Sequence, residues 1–246
     1  MIPKKIHYCW FGGNPLPESV KKCKESWKKF CPDYEIIEWN ESNYNVHKMP
    51  FISDAYTAKK YAFVSDYARL DIIYNEGGIY LDTDVELIRP LDALLSHSAF
   101  MGMELIGEVN TGLGFGAEKY HRFIGENRDV YLKETFNTSN LVTCVELTTN
   151  LLVTKGLEKN NSIQIIDGVT IYPIEYFCPY NMETRKTSLT ENTYSIHHYD
   201  ATWYGSGLKA IVRKKLLPIK IYFKKILNTI FGEGSYQKVK EFLKGK

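Results

Sequence analysis

Asp82-Thr83-Asp84 sets two carboxylates one residue apart, directly after the apolar run Gly78-Ile79-Tyr80-Leu81. Hard oxygen donors at that spacing suit a single Mn2+ or Mg2+ ion. A cation held there can bridge the two phosphates of a nucleotide diphosphate and neutralise charge as the diphosphate departs. Alone the motif is weak, since Asp-x-Asp also arises in surface turns. Asp66 and Arg69, three apart in a helical stretch, share a face. They read either as an i,i+3 salt bridge or as a pair holding sugar hydroxyls and a phosphate oxygen, and the helix leaves both open. His197 and His198 add imidazole, a ligand for Mn2+-class metals, and in a strand only one of two neighbours can face the site. Trp10 offers a face for a nucleobase and Trp203 an apolar wall; plain core packing is the alternative for Trp10.

The elements that must position these groups follow from periodicity. Residues 5–10 read as a strand stopped by Gly12-Gly13-Asn14-Pro15. A helix over 18–30 places Val20, Cys23 and Trp27 on one face, and residues 34–39 form a second strand. Strand, helix, strand opens a parallel α/β sheet. A longer helix spans 54–75, capped by Ser53 or Asp54 and ended by Gly77-Gly78. The strand over 78–81 then runs into the two aspartates, and 85–88 continues extended to Pro90. Ligands gather at the carboxyl ends of strands in such sheets. After Pro90 the pattern is mixed. Residues 111–116 read as a loop or strand, 121–132 and 144–155 as helices, 162–173 and 193–198 as strand segments.

Composition bounds the rest. A chain of 246 residues, 44% apolar and 24% charged, holds one sizeable α/β domain. Eighteen tyrosines suit strands and equally sugar or base contacts. Five cysteines without CxxC spacing argue against a disulfide scaffold or zinc cluster. The N-terminus lacks the apolar core of a signal peptide and no window has the roughly 18 apolar residues of a spanning helix. A cytoplasmic setting is expected, possible attachment to the inner face of the membrane included. Net charge is +2 overall, yet the stretch from Ser206 carries +9, leaving −7 for the remainder. Ile219, Tyr222, Phe223, Ile226, Leu227, Ile230 and Phe231 recur there at helical spacing with Lys220, Lys224 and Lys225 between them. That is a basic amphipathic helix, suited to an anionic surface or to packing on its own domain. The division expected is a catalytic domain over 1–205 and a tail over 206–246.

Taken together, these residues resemble a known family. Ile2-Pro3-Lys4-Lys5-Ile6-His7-Tyr8-Cys9-Trp10-Phe11-Gly12 is similar to the opening of family 32 glycosyltransferases, whose sugar-binding region contains a DXD motif. Ala62-Phe63-Val64-Ser65-Asp66-Tyr67-Ala68-Arg69 resembles the family's helix. Gly77-Gly78-Ile79-Tyr80-Leu81-Asp82-Thr83-Asp84 resembles its most specific motif, and Ile196-His197-His198 with Trp203 its C-terminal signature. The likeness spans about residues 2–204, and clostridial glucosylating toxins look like distant relatives.

The resemblance implies a GT-A fold, with a Rossmann-like mixed sheet flanked by helices, an Mn2+ or Mg2+ ion, and transfer with retention of anomeric configuration. It implies that Trp10 stacks on the base, that Asp66 and Arg69 hold the donor sugar, and that Tyr80 lines the nucleotide-sugar site. Asp82 would touch ribose, sugar or metal-bound water. Asp84 would bind metal, His197 or His198 would complete the metal site, and Trp203 would pack near the diphosphate. The expected catalytic group is Asp66, Arg69, Asp82 and Asp84. A UDP-sugar donor is favoured. The acceptor is expected to be a glycan or lipid-linked oligosaccharide, as in capsular or surface polysaccharide synthesis, and no nucleic-acid partner is expected. A protein-glycosylating effector and a non-catalytic sugar-nucleotide binder are the alternatives. Two departures bear on the acceptor side: Thr202 stands where relatives often carry Ser, and Glu146-Leu147-Thr148-Thr149 is the nearest stretch to a Thr-Gly-Pro.

Overall fold

The structure, a computed structural model, describes residues 1–199 apart from 140, 182, 183 and 185. Trp203, Thr202 and the basic tail lie outside the described residues. Met1–Tyr180 with Thr187–Tyr199 forms one compact unit.

The first elements are β1 (Lys5–Cys9), α1 (Glu18–Phe30) and β2 (Glu35–Trp39), as the periodicity requires. Val20, Cys23 and Trp27 bury one stripe of α1. Next come α2 (Pro50–Thr57) and α3 (Tyr61–Glu76). The single helix expected over 54–75 is therefore two. Lys59 adopts φ 56, Lys60 N–H bonds Ala55 O at 2.8 Å, and Lys59 N–H bonds Tyr56 O at 2.9 Å. That bond pattern closes a helix with a left-handed residue, a place usually held by glycine, so a lysine there gives no warning in the sequence. Neither Ser53 nor Asp54 caps; Pro50 opens α2 after an extended Met49.

β3 (Gly78–Tyr80) and β4 (Val85–Leu87) follow. Then come β5 (Ala99–Leu105), β6 (Glu108–Asn110), β7 (Phe115–Ala117), α4 (Arg122–Val130), α5 (Cys144–Thr154), β8 (Gln164–Ile166), β9 (Val169–Tyr172) and β10 (Ser195–His197). The main sheet runs β2-β1-β3-β7-β5-β9-β8, with β6 beside β5. β1 is parallel to β2 and β3, whereas β7 is antiparallel to β3 and β5. The sheet is thus mixed and flanked by helices, as expected. Alternation along β3 sends Tyr80 to the face covered by α3 and Ile79 to the face covered by α1.

One correction matters for the site. The chain does not continue extended from β3 into β4. Val85 N–H bonds Asp82 O at 3.0 Å, a turn through the two aspartates. It carries β4 out of the main sheet to pair antiparallel with β10, Val85 opposite His197. Trp27 Nε1 donates to Val85 O at 2.8 Å and Leu87 N–H donates to Ser26 Oγ at 2.9 Å, so α1 pins the departing strand. Among the described residues no helix is long and apolar enough to cross a membrane.

Candidate functional site

The approach to the aspartates is fixed from below. α3 ends at Gly77, whose φ of 66 suits glycine. Trp39 Nε1 donates to His7 Nδ1 at 3.0 Å, and His7 Nε2 then donates to Gly77 O at 2.9 Å. Burial pushes His7 down to about 4, against the pull of the Gly77 carbonyl, which matches a neutral ring accepting on one side and donating on the other. A Cβ on Gly78 would lie 2.9 Å from His7 Nε2, so the backbone passes too close for a side chain. Leu81 N–H then bonds His7 O at 3.0 Å and delivers Asp82 at the sheet's carboxyl edge.

Asp82 meets Arg69 there. Arg69 Nη2 lies 2.8 Å from Asp66 Oδ1 and 3.2 Å from Asp82 Oδ1. Its Nε donates to Ser65 O at 3.1 Å, and its guanidinium sits 5.1 Å from the Tyr80 ring centre. Tyr80 OH donates to Asp82 Oδ1 at 3.1 Å. Arg69 is only 3% exposed. Burial works against its charge, but Asp82 and Asp66 outweigh that and hold it protonated. The i,i+3 pair left open by the sequence is present, and it also reaches the motif.

Across the turn, Asp84 Oδ1 lies 3.2 Å from His197 Nε2. His198 points the other way and pairs with Glu86 Oε2 at 2.8 Å. The strand register therefore separates the two histidines, and His198 leaves the candidate ligand set. Asp82, Asp84 and His197 offer ligand atoms within 4.8 Å of one another, the one such acid and histidine group found among the described residues.

This donor set fits a divalent cation. Two carboxylates and an imidazole suit Mn2+ or Mg2+, with the nitrogen favouring Mn2+. Burial and the neighbouring Asp84 push Asp82 up to about 6, against Arg69. Burial would lower His197, but Asp84, Asp82 and Glu104 outweigh it and push it up to about 9. A bound cation reverses both tendencies. His197 Nδ1 is buried and has no hydrogen-bond partner among the described residues, while Nε2 faces Asp84.

Trp10 follows β1 at the same edge, half-buried, with Nε1 donating to Asn14 O at 2.6 Å. Trp203 lies outside the described residues.

The structure adds residues that sequence reasoning passed over. Asn110 Oδ1 accepts from Gly112 N–H at 2.6 Å, and Asn110 Nδ2 donates to Glu104 Oε2 at 2.7 Å. A Cβ on Gly112 would lie 2.4 Å from Asp82 Oδ2 and 3.1 Å from Arg69 Nη1. Cys144, at the start of α5, places Sγ 3.9 Å from Arg69 Nη1. The signal available was Asn110-Thr111-Gly112, of which Thr111 and Gly112 read as part of a loop or strand over 111–116.

Residues 17–101 match the glycosyltransferase sugar-binding region containing DXD motif. That match covers about a third of the chain. The matched stretch holds α1, α3, β3 and the aspartate turn. Inositol phosphoceramide mannosyltransferase 3 of Schizosaccharomyces pombe is 34% identical over 128 residues, 50% of this chain and 35% of that protein. The match thus spans about a third of that relative's length. An uncharacterized glycosyltransferase of Acanthamoeba polyphaga mimivirus is 26% identical over 73% of this chain and 78% of its own. Among solved structures, the PaToxG glycosyltransferase superposes with a TM-score of 0.50 at 17% identity, over 63% of this chain and 70% of that one. The likeness is one of fold: a mixed α/β sheet flanked by helices.

Proposed function

We propose that the chain moves a sugar from a nucleotide-diphosphate sugar to a hydroxyl acceptor, with retention and with Mn2+ or Mg2+ held by Asp84, His197 and Asp82. The observation that carries this reading is the turn at Asp82. It gives one carboxylate to the Arg69–Asp66 pair and converges with Asp84 and His197 on the other side. A bound cation there would supply charge neutralisation at the departing diphosphate.

The protein's own groups do the rest by position. Arg69, enclosed by Asp66, Asp82 and Ser65 O, favours the ionised form of both carboxylates against burial and aims them, leaving their other oxygens for sugar hydroxyls. Trp10, at the end of β1, offers a platform for the base. Water exclusion strengthens these contacts. The acceptor oxygen bonds to the anomeric carbon on the face that the phosphate oxygen leaves, and that phosphate oxygen takes the acceptor's proton. No carboxylate in the sequence stands out as a dedicated nucleophile, so the scheme is written without a covalent intermediate.

A UDP-sugar is the favoured donor. The name of the fungal relative adds mannosyl transfer and a lipid acceptor to what must be screened. The basic amphipathic stretch from residue 206 supports an acceptor at an anionic inner-face membrane, such as a lipid-linked oligosaccharide of surface polysaccharide synthesis.

Free-nucleotide release by the full chain, with Mn2+ and a panel of UDP- and GDP-sugars, tests the reading. Turnover that needs both a divalent cation and Asp84 supports it. Turnover unchanged in EDTA, or in Asp84→Ala, refutes it.

A further inference from the structure

His197 is buried and carries the nitrogen side of the cluster, yet its Nδ1 meets no hydrogen-bond acceptor among the described residues. Imidazole ligands are usually oriented through that second nitrogen. Here something else must hold the ring.

Tyr199 is that contact. Its ring centre lies 4.2 Å from that of His197, with the planes at 58°. Its backbone adopts φ 53, a left-handed conformation that a bulky side chain rarely takes and that gathers where a functional geometry is being held. Its hydroxyl lies 3.0 Å from Cys178 Sγ and within hydrogen-bonding reach of the Glu104 carboxylate. Burial keeps the Cys178 thiol protonated, so thiol or hydroxyl can donate across that contact, while the Glu104 carboxylate can only accept from the tyrosine O–H. Glu104 is itself held by Asn110 Nδ2, and Asn110 holds Gly112, which lies against Asp82. The contacts form a brace from one wall of the cluster to the other.

We propose that Tyr199, anchored through its hydroxyl by Glu104, is a positioning residue that holds the His197 ring with Nε2 toward Asp84 and so pre-forms the divalent-cation site. The inference rests on the metal reading given under Proposed function. Tyr199 is not one of the three grouped ligands; it acts through His197.

The test is Mn2+ binding to the full chain without donor or acceptor, by calorimetry and by the loss of the free-ion EPR signal. Tyr199→Leu removes the ring and should weaken binding about ten- to hundredfold. Tyr199→Phe keeps the ring but frees it from Glu104, and should fall between Tyr199→Leu and the parent. Urea unfolding in EDTA reads any general loss of packing separately. Equal Mn2+ affinity in the parent and in folded Tyr199→Leu overturns the positioning role alone. A parent chain that binds no Mn2+ overturns the metal reading, and this inference with it. Parent-like affinity in Tyr199→Phe overturns the Glu104 anchor.

Discussion

His7 gives a prediction that depends only on the fold. It is fully buried between Trp39 and Gly77, and burial moves its proton affinity from the ordinary 6.5 down to about 4. Each tenfold change in proton affinity is worth about 1.4 kcal/mol. Holding the ring neutral therefore contributes stability that is fully present above pH 6.5. The unfolded chain takes up the proton first as pH falls, so that stability drains between 6.5 and about 4. The linkage relation gives a loss of about 2 kcal/mol by pH 5 and about 3 kcal/mol at completion. That is a large share of the 5–15 kcal/mol typical of a domain. The assay is urea unfolding followed by tryptophan fluorescence from pH 7.5 to 4.5 in EDTA, comparing the parent with His7→Gln. Glutamine can still donate to Gly77 O but does not titrate. His97 and His121, which burial also lowers, act equally in both chains and cancel in the difference. The parent should therefore lose about 2 kcal/mol more than His7→Gln by pH 5. Parallel pH curves for the two chains would refute the neutral, two-sided clamp.

Other outcomes follow from the site. Gly112→Ala drives a methyl to 2.4 Å from Asp82 Oδ2; a displacement near 1 Å should cost on the order of a hundredfold in transfer rate, with far-UV dichroism unchanged. Arg69→Ala strands the carboxylates of Asp66 and Asp82, and should lower unfolding free energy by about 3–5 kcal/mol; a surface i,i+3 pair would cost only a few tenths, so urea midpoints separate the two. His197→Ala should lose Mn2+ binding in a titration, whereas His198→Ala, on the opposite face with Glu86, should keep it. Asp84→Ala should abolish nucleotide release while its far-UV dichroism matches the parent.

How much was legible in the sequence depends on how each element is specified. α1 matched its expected bounds, because its apolar stripe and the prolines before it act locally. The break between α2 and α3 was hidden, since Lys59 occupies a left-handed position without being Gly or Asn. β5 was missed although it is the hub of the sheet. Ala99-Phe100-Met101-Gly102-Met103 is buried on both faces, so it shows neither alternation nor β-branched residues. At the site, residue types pointed to the aspartates and to one of the two histidines, but not to which one. That choice belongs to the register of β10 against β4, a pairing between segments more than a hundred residues apart. Glu104, Asn110 and Tyr199 stayed silent because each acts through another side chain, and no spacing marks that.

The pairing of β4 with β10 also sets an order of assembly during synthesis. Asp66, Arg69 and Asp82 lie within one short stretch of chain and can come together once β3 has emerged. His197 is made more than a hundred residues later, which at about 5–20 residues per second is a delay of roughly 6–20 s. Through that interval the growing chain holds Asp82 and Asp84 close with no imidazole between them. The cluster is completed only when β10 seats in the correct register, because a one-residue slip would present His198 instead. On the proposed metal reading, the ability to take up a cation is acquired late, and it reports that β10 has docked in register with β4.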